Sequence, residues 1–97
     1  MNEFNYKISE LEVDFYKDFK VEVSKDDELL LAVDKIDDSL WLIQTSWAED
    51  NLILIKKELA DELVKFLEYK INERYNTELP VILHPNFFMS IDTSNPN

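Results

Sequence analysis

The chain contains no glycine in 97 residues, where about 7% is usual. Every chain reversal must therefore be made by residues that carry a Cβ. Among these, Asn and Asp best tolerate positive φ. The same absence excludes glycine-rich phosphate loops, dinucleotide-binding fingerprints and calcium loops with an obligatory glycine. Reversals are expected at Lys25-Asp26-Asp27-Glu28, at Lys35-Ile36-Asp37-Asp38-Ser39 and at Ser46-Trp47-Ala48-Glu49-Asp50-Asn51. These lengths suit hairpins.

The segments between them read as strands. Phe4, Tyr6 and Ile8 alternate with polar residues, and after a slip in phase at Ser9-Glu10, Leu11, Val13 and Phe15 alternate with Glu10, Glu12 and Asp14. Such alternation marks half-buried strands, and the slip marks a bulge or turn. A helix competes over residues 9–19, because Ser9 and Glu12 form a capping-box pattern and Leu11, Phe15 and Phe19 recur at helical spacing. Val13 falls off that face, which favours the strand. Phe19–Val23, Leu29–Asp34, Leu40–Thr45 and Leu52–Ile55 continue the pattern as an antiparallel meander. Strands 29–33, 40–43 and 52–55 are apolar on both faces, so the sheet is expected to be covered on both sides or to pair with another surface.

From Lys57 to Tyr75 the period becomes helical. Leu59, Leu63, Phe66, Leu67 and Ile71 form one stripe, with mostly charged residues outside it. Asp61–Lys65 is the expected i, i+4 ion pair. Asn76-Thr77 ends the helix and Pro80 bars its continuation. Val81–Leu83 and Phe87–Ile91 read as short strands around Pro85-Asn86, and residues 93–97 as a frayed tail. The expected fold is a single α+β domain over residues 1–97: an antiparallel sheet of about five strands packed with one main helix in the C-terminal half.

Composition limits function more than it names one. Twelve aromatic residues and 45% apolar content are enough to bury a core and argue against disorder. The absence of cysteine removes disulfides, thiolate metal sites and cysteine nucleophiles. The first residues lack the basic and apolar stretches of a signal peptide, and the longest apolar run, Leu29 to Val33, falls far short of the ~20 residues that span a bilayer. A cytoplasmic location is expected. Fourteen acids face five lysines in the first 54 residues, and that half carries −9 of the net −11. Solubility needs a net charge of only roughly 2–8, and an acidic surface disfavours nucleic acid and anionic membrane as direct ligands.

No catalytic set is visible, and no enzyme activity, cofactor or metal is expected. His84 is the single histidine, without local partners for a triad or a metal site. Paired carboxylates abound, but acid–base work needs one of them held in an apolar cleft. Alternating turns of a meander place Asp26, Asp27 and Glu28 at the same end as Glu49 and Asp50, a rim that lacks calcium-loop spacing. Trp47 beside that rim has the composition of an aromatic binding anchor, or packs beneath the sheet end, whereas Trp41 reads as core. Glu10, Glu12 and Asp14 line one face at about 6.8 Å intervals in a strand, and the alternative helix stacks Glu10, Asp14 and Asp18. Local folding disfavours either row.

A short, cysteine-free, strongly acidic α+β chain with carboxylate rows and no catalytic set resembles the small phage-encoded inhibitors that imitate nucleic acid. Anti-CRISPR proteins and inhibitors of uracil-DNA glycosylase are examples. The resemblance is one of size, charge and style over the whole chain and involves no motif. It implies binding in the basic DNA- or PAM-binding groove of a nuclease or repair enzyme, in the host cytoplasm, with carboxylates standing where phosphates lie. The implied contacts are Glu10, Glu12, Asp14, Asp26, Asp27, Glu28, Asp34, Asp37, Asp38, Glu49 and Asp50, with Trp47 as the aromatic candidate. Two alternatives are an immunity protein that neutralises a basic bacterial toxin and a dimeric, chaperone-like module whose sheet pairs with itself. The expected partner of the first two is a basic protein, with the monomer favoured. Reversing turn acids such as Asp26 and Asp27 to lysine is expected to leave the fold intact.

Overall fold

Asp and Asn hold four of the five positive-φ positions among the described residues. A computed structural model of the protein describes residues 2–45 and 52–90. The turn that carries Trp47, Glu49 and Asp50, and the tail at 93–97, lie outside the described residues. In chain order the elements are β1 (Asn2–Glu3), a 3-10 turn (Ile8–Glu10), β2 (Glu12–Tyr16), β3 (Lys20–Lys25), β4 (Glu28–Ile36) and β5 (Leu40–Thr45). Next come β6 (Ile53–Lys56), α1 (Lys57–Tyr75), β7 (Val81–Leu83) and β8 (Phe87–Ser90). Asp26 and Asp27 both have positive φ, 52° and 68°, the pattern of a two-residue type I′ hairpin that normally uses Asn-Gly. Lysine is poorly suited to that conformation, so reversing these two charges to lysine would strain the hairpin, contrary to the sequence-based expectation. Asp37 (φ 51°) turns β4 into β5, and Asn76 (φ 56°) closes the helix where glycine is usual.

The fifth positive-φ residue is Phe19, at 58°, a conformation that a bulky side chain adopts only when its surroundings impose it. Its ring centroid lies 5.2 Å from that of Tyr75 and 6.3 Å from that of Trp41, with the Lys35 ammonium 4.9 Å away over the ring. Aromatic pairs of this kind are worth roughly 0.5–1.5 kcal/mol each beyond area burial, enough to offset the backbone cost.

Strands β2 to β5 form the expected antiparallel meander, and the sheet has the order β2-β3-β4-β5-β7. Within segment 9–19 the strand is Glu12–Tyr16, between a 3-10 turn and the turn at 17–19, with outward and inward positions alternating along β2. The meander stops at β5. Leu52–Ile55 does not add a further antiparallel strand: β6 pairs in parallel with β1 and β8 in a second, three-stranded sheet. β6 runs directly into α1, and a chain that returns after a crossover helix enters parallel, as β7 does beside β5. Nor do Phe4, Tyr6 and Ile8 form a strand. Only Asn2–Glu3 pairs, after which Phe4 is buried while Tyr6 and Ile8 lean on the core from an irregular segment.

One core cluster joins both sheets to α1, which buries Ala60, Leu63, Leu67 and Ile71. Full burial of a leucine or isoleucine contributes about 1.5–3 kcal/mol. The observed pair on the helix is Lys57–Asp61 at 2.9 Å, so Asp61 reaches back one turn rather than forward to Lys65. On the inner face of the large sheet, Val21, Val23, Leu31, Val33, Trp41, Ile43 and Val81 are all buried. The apolar run Leu29–Val33 has a specific cause. Ser24 faces Leu29 and Val23 faces Leu31, so Leu30 is the extra residue of a β-bulge and is buried beside Leu31. Two-sided apolar character thus does not mean a sheet covered twice. Among the described residues, α1 joins the core on one face, while the outward positions Glu22, Ala32, Asp34 and Leu42 of the other face are only partly buried.

At the end of the sheet where β2 turns into β3, the helix is tied down by polar contacts. Asn72 Oδ1 accepts from Trp41 Nε1 (3.3 Å), from the Leu79 N–H (3.1 Å) and from the Thr77 hydroxyl (2.5 Å). Its Nδ2 donates to the carbonyls of Glu68 (3.0 Å) and Leu79 (2.8 Å). The Tyr75 hydroxyl reaches the carbonyls of Tyr16 and Lys20, at the two ends of the β2–β3 turn. Burial holds the Tyr75 phenol above its ordinary pKa near 10.

Candidate functional site

Alternation along the strands sorts the acidic residues. In β2, Val13 and Phe15 point to the core, so Glu12 and Asp14 are exposed on the opposite, open face. In β3, Val21 and Val23 are buried, which turns Glu22 outward. Register then sets neighbours: Asp14 faces Glu22 directly, and Tyr16, Lys20, Asp34, Leu42 and Ile82 form one row across all five strands. Of the predicted residues, the fold gathers Glu12, Asp14 and Asp34 on this face and adds Glu22, which was not among the sequence-based candidates. Its signal was present in the alternation Lys20-Val21-Glu22-Val23, but its opposite number in β2 depends on register.

The electrostatics of the face are uneven. Asp34 accepts a 2.5 Å bond from Gln44, and Glu22 accepts the Tyr16 hydroxyl at 3.0 Å. That bond, with the carboxylate charge behind it, pushes the Tyr16 phenol above its ordinary value. Glu12 and Asp14 enter none of the four ion pairs among the described residues. Lys20 lies in register between Tyr16 and Asp34 but forms no such pair either. Asp14 opposite Glu22 is a like-charge cross-strand pair, an unfavourable arrangement in a sheet.

The remaining predicted acids lie elsewhere. Glu10, Asp26, Asp27 and Glu28 gather at one end of the sheet. There the Lys25 ammonium is 3.0 Å from Asp26 and 4.0 Å from Glu10, and these contacts, chiefly the bond to Asp26, raise its pKa. Asp37 and Asp38 are at the opposite end of β4, on the order of 25–30 Å away at about 3.3 Å per residue. Lys35 holds Asp38 at 2.6 Å and lowers its pKa. Among the described residues the predicted acids therefore form three groups, two at the sheet ends that are partly neutralised by lysine and one on the open face. Trp47, Glu49 and Asp50 lie outside the described residues. Trp41 is fully buried, as read from the sequence.

No acidic or basic side chain is buried among the described residues. A depression of about 850 Å³ lies between the N-terminal segment and the start of α1. It is lined by Lys7, Lys25 and Lys56 as well as by Glu10, Glu58 and Glu62, a balanced set of charges. His84 sits at the joint between the sheets, where its Nδ1 accepts the Asn86 N–H at 3.0 Å and its own N–H bonds the Ile43 carbonyl at 2.8 Å. Among the described residues no three His, Asp or Glu side chains group in a way that could hold a metal ion. No helix among them is long and apolar enough to cross a membrane.

No protein-family model, curated protein or solved structure matches the chain. The open face has to be judged on its own chemistry.

Proposed function

We propose that the protein is an acidic, non-enzymatic inhibitor that binds the basic nucleic-acid-binding surface of a nuclease or similar enzyme, in the manner of the anti-CRISPR-like DNA mimics it resembles. The observation that carries this reading is the juxtaposition of Glu12, Asp14 and Glu22 on the open face without a cation in ion-pair range. Folding alone gains nothing from Asp14 opposite Glu22, whereas a cationic groove turns the same repulsion into attraction. Association of this kind is fast and salt-sensitive, because it is steered by opposite fields. Contacts of the phosphate-mimicking type fall to Glu12, Asp14, Glu22 and Asp34, with the acids at the two sheet ends serving in steering.

A second reading, an immunity protein that neutralises a basic toxin, is favoured by the apolar side chains of Leu42 and Ile82 on the same face. Binding beside an active site uses apolar anchors as well as charge. The two readings share the surface and differ in the partner.

The test is capture of proteins from the native host on immobilised protein at low and at high salt, with Glu12→Lys/Asp14→Lys/Glu22→Lys as control. A basic protein held at low salt, released at high salt and lost with the triple variant is the expected result. Unchanged capture by the triple variant would overturn the acidic-face mechanism.

A further inference from the structure

The acidic half of the open face is continuous with an apolar half, and the pair together specify a partner element. Across the row from Tyr16 to Ile82 the side chains change from polar to aliphatic: Asp34 stands beside Leu42, and Leu42 beside Ile82. One step along the strands, Asp14 and Glu22 are followed by Ala32. Ile82 is 42% exposed and Ile36 39%. Strands lie about 4.8 Å apart, so Glu22 is roughly 10 Å from the strand that carries Leu42. That is the width of one α-helix, about 10–12 Å with its side chains.

We infer that the open face of the five-stranded sheet takes an amphipathic helix of the partner. Its aliphatic stripe lies over Ala32, Leu42 and Ile82, and its Lys or Arg flank meets Asp14 and Glu22. This rests on the proposed acidic-face reading and adds to it, since a purely polycationic groove has no use for the aliphatic strip. The occupant is set by charge complementarity: Asp34 beside Leu42 and the Asp14–Glu22 pair beyond Ala32 outnumber Lys20, the cation in the same row as Leu42, so whatever covers the strip brings cations there. A second copy brings another body of net charge −11, and long-range repulsion opposes that pairing. The strip extends over the rows of Ala32, Leu42 and Leu40, spaced by about 6.8 Å. Its length of roughly 14 Å matches about nine residues of helix.

The full chain is titrated with a synthetic 18-residue peptide of leucine and lysine in helical pattern, and with a scrambled peptide of the same composition, at two salt concentrations. The patterned peptide is expected to bind about tenfold more tightly than the scrambled one, of the order expected from burying one or two aliphatic side chains. Amide shifts in the unmodified protein should fall on Ala32, Leu42 and Ile82 as well as Asp14 and Glu22. Leu42→Ser/Ile82→Ser should abolish the preference and keep the folded circular dichroism spectrum; if that variant does not fold, the shift map of the unmodified protein decides. Equal binding of both peptides, or no binding, overturns the inference while the triple lysine variant still tests the acidic face separately. If Glu12→Gln/Asp14→Gln/Glu22→Gln binds the patterned peptide like the unmodified protein, the cationic flank is wrong. Sedimentation as a dimer that Leu42→Ser/Ile82→Ser dissociates would assign the face to a second copy, against the inference.

Discussion

The two faces of the same sheet obey different rules. On the inner face, Trp41, Ile43, Val21, Val23 and Val33 are completely buried, and the Asn72 and Tyr75 contacts supply polar partners where the helix ends. On the outer face, Asp14 opposes Glu22, and Ile36 and Ile82 stay partly exposed. Natural folds agree with themselves from one level to the next, and local conflicts cluster where something besides folding is served. The inner face is consistent and the outer face is not. That difference, more than total charge, locates the candidate site.

Substitutions on the two faces should therefore differ in sign. The largest loss is expected from Asn72→Leu, which strands the Trp41 Nε1–H and both backbone groups of Leu79. Unsatisfied buried groups cost about 1–3 kcal/mol each, so a destabilisation of roughly 2–4 kcal/mol should appear in urea unfolding. Tyr75→Phe removes a hydroxyl that spans the β2–β3 turn and should cost about 1 kcal/mol. It also has a pH signature. Burial raises the Tyr75 pKa in the folded state, so its contribution is complete below the ordinary tyrosine value near 10 and is lost as pH rises through the folded value. Urea midpoints measured at rising alkaline pH should fall less steeply in the variant than in the unmodified protein. If they fall equally, Tyr75 is not the group responsible.

The smallest effect is expected on the open face, and in the opposite direction. Asp14→Lys converts the like-charge pair with Glu22 into an opposite-charge pair. It should stabilise the fold by a few tenths of a kcal/mol, about the lower end for exposed cross-strand pairs, while weakening capture of a basic partner. A loss of stability instead would show that Asp14 serves the fold and would erase the contrast between the faces.

Much of this fold was legible because it depends on short-range rules. The boundaries of α1 came from a 3.6-residue stripe and from Asn76, and the aspartate turns came from the lack of glycine. Glu12 and Asp14 pointed outward by simple alternation. Long-range choices were not legible in the same way. Leu52–Ile55 looked like the next meander strand, because nothing in its residues records that β6 opens a crossover. Leu30 looked like evidence for a second covered face, because a bulge leaves no mark in composition. Glu22 and Asn72 were missed for a shared reason. Their roles depend on residues 8 positions away in the facing strand and 31 positions away at Trp41.

Neighbouring residues along the chain were enough to set the repertoire: glycine-free turns carried by Asp and Asn, one amphipathic helix, alternating strands and an excess of acid in the first half. These are consequences of φ tolerance, periodicity and charge, which need no knowledge of distant partners. Folding in three dimensions chose which acids stand together and which are separated by the length of β4. It also chose which sheet face is left open, and it laid an aliphatic strip beside the acids there. Strand register and the placement of one helix set those distances, and they arise from packing between residues far apart in the chain.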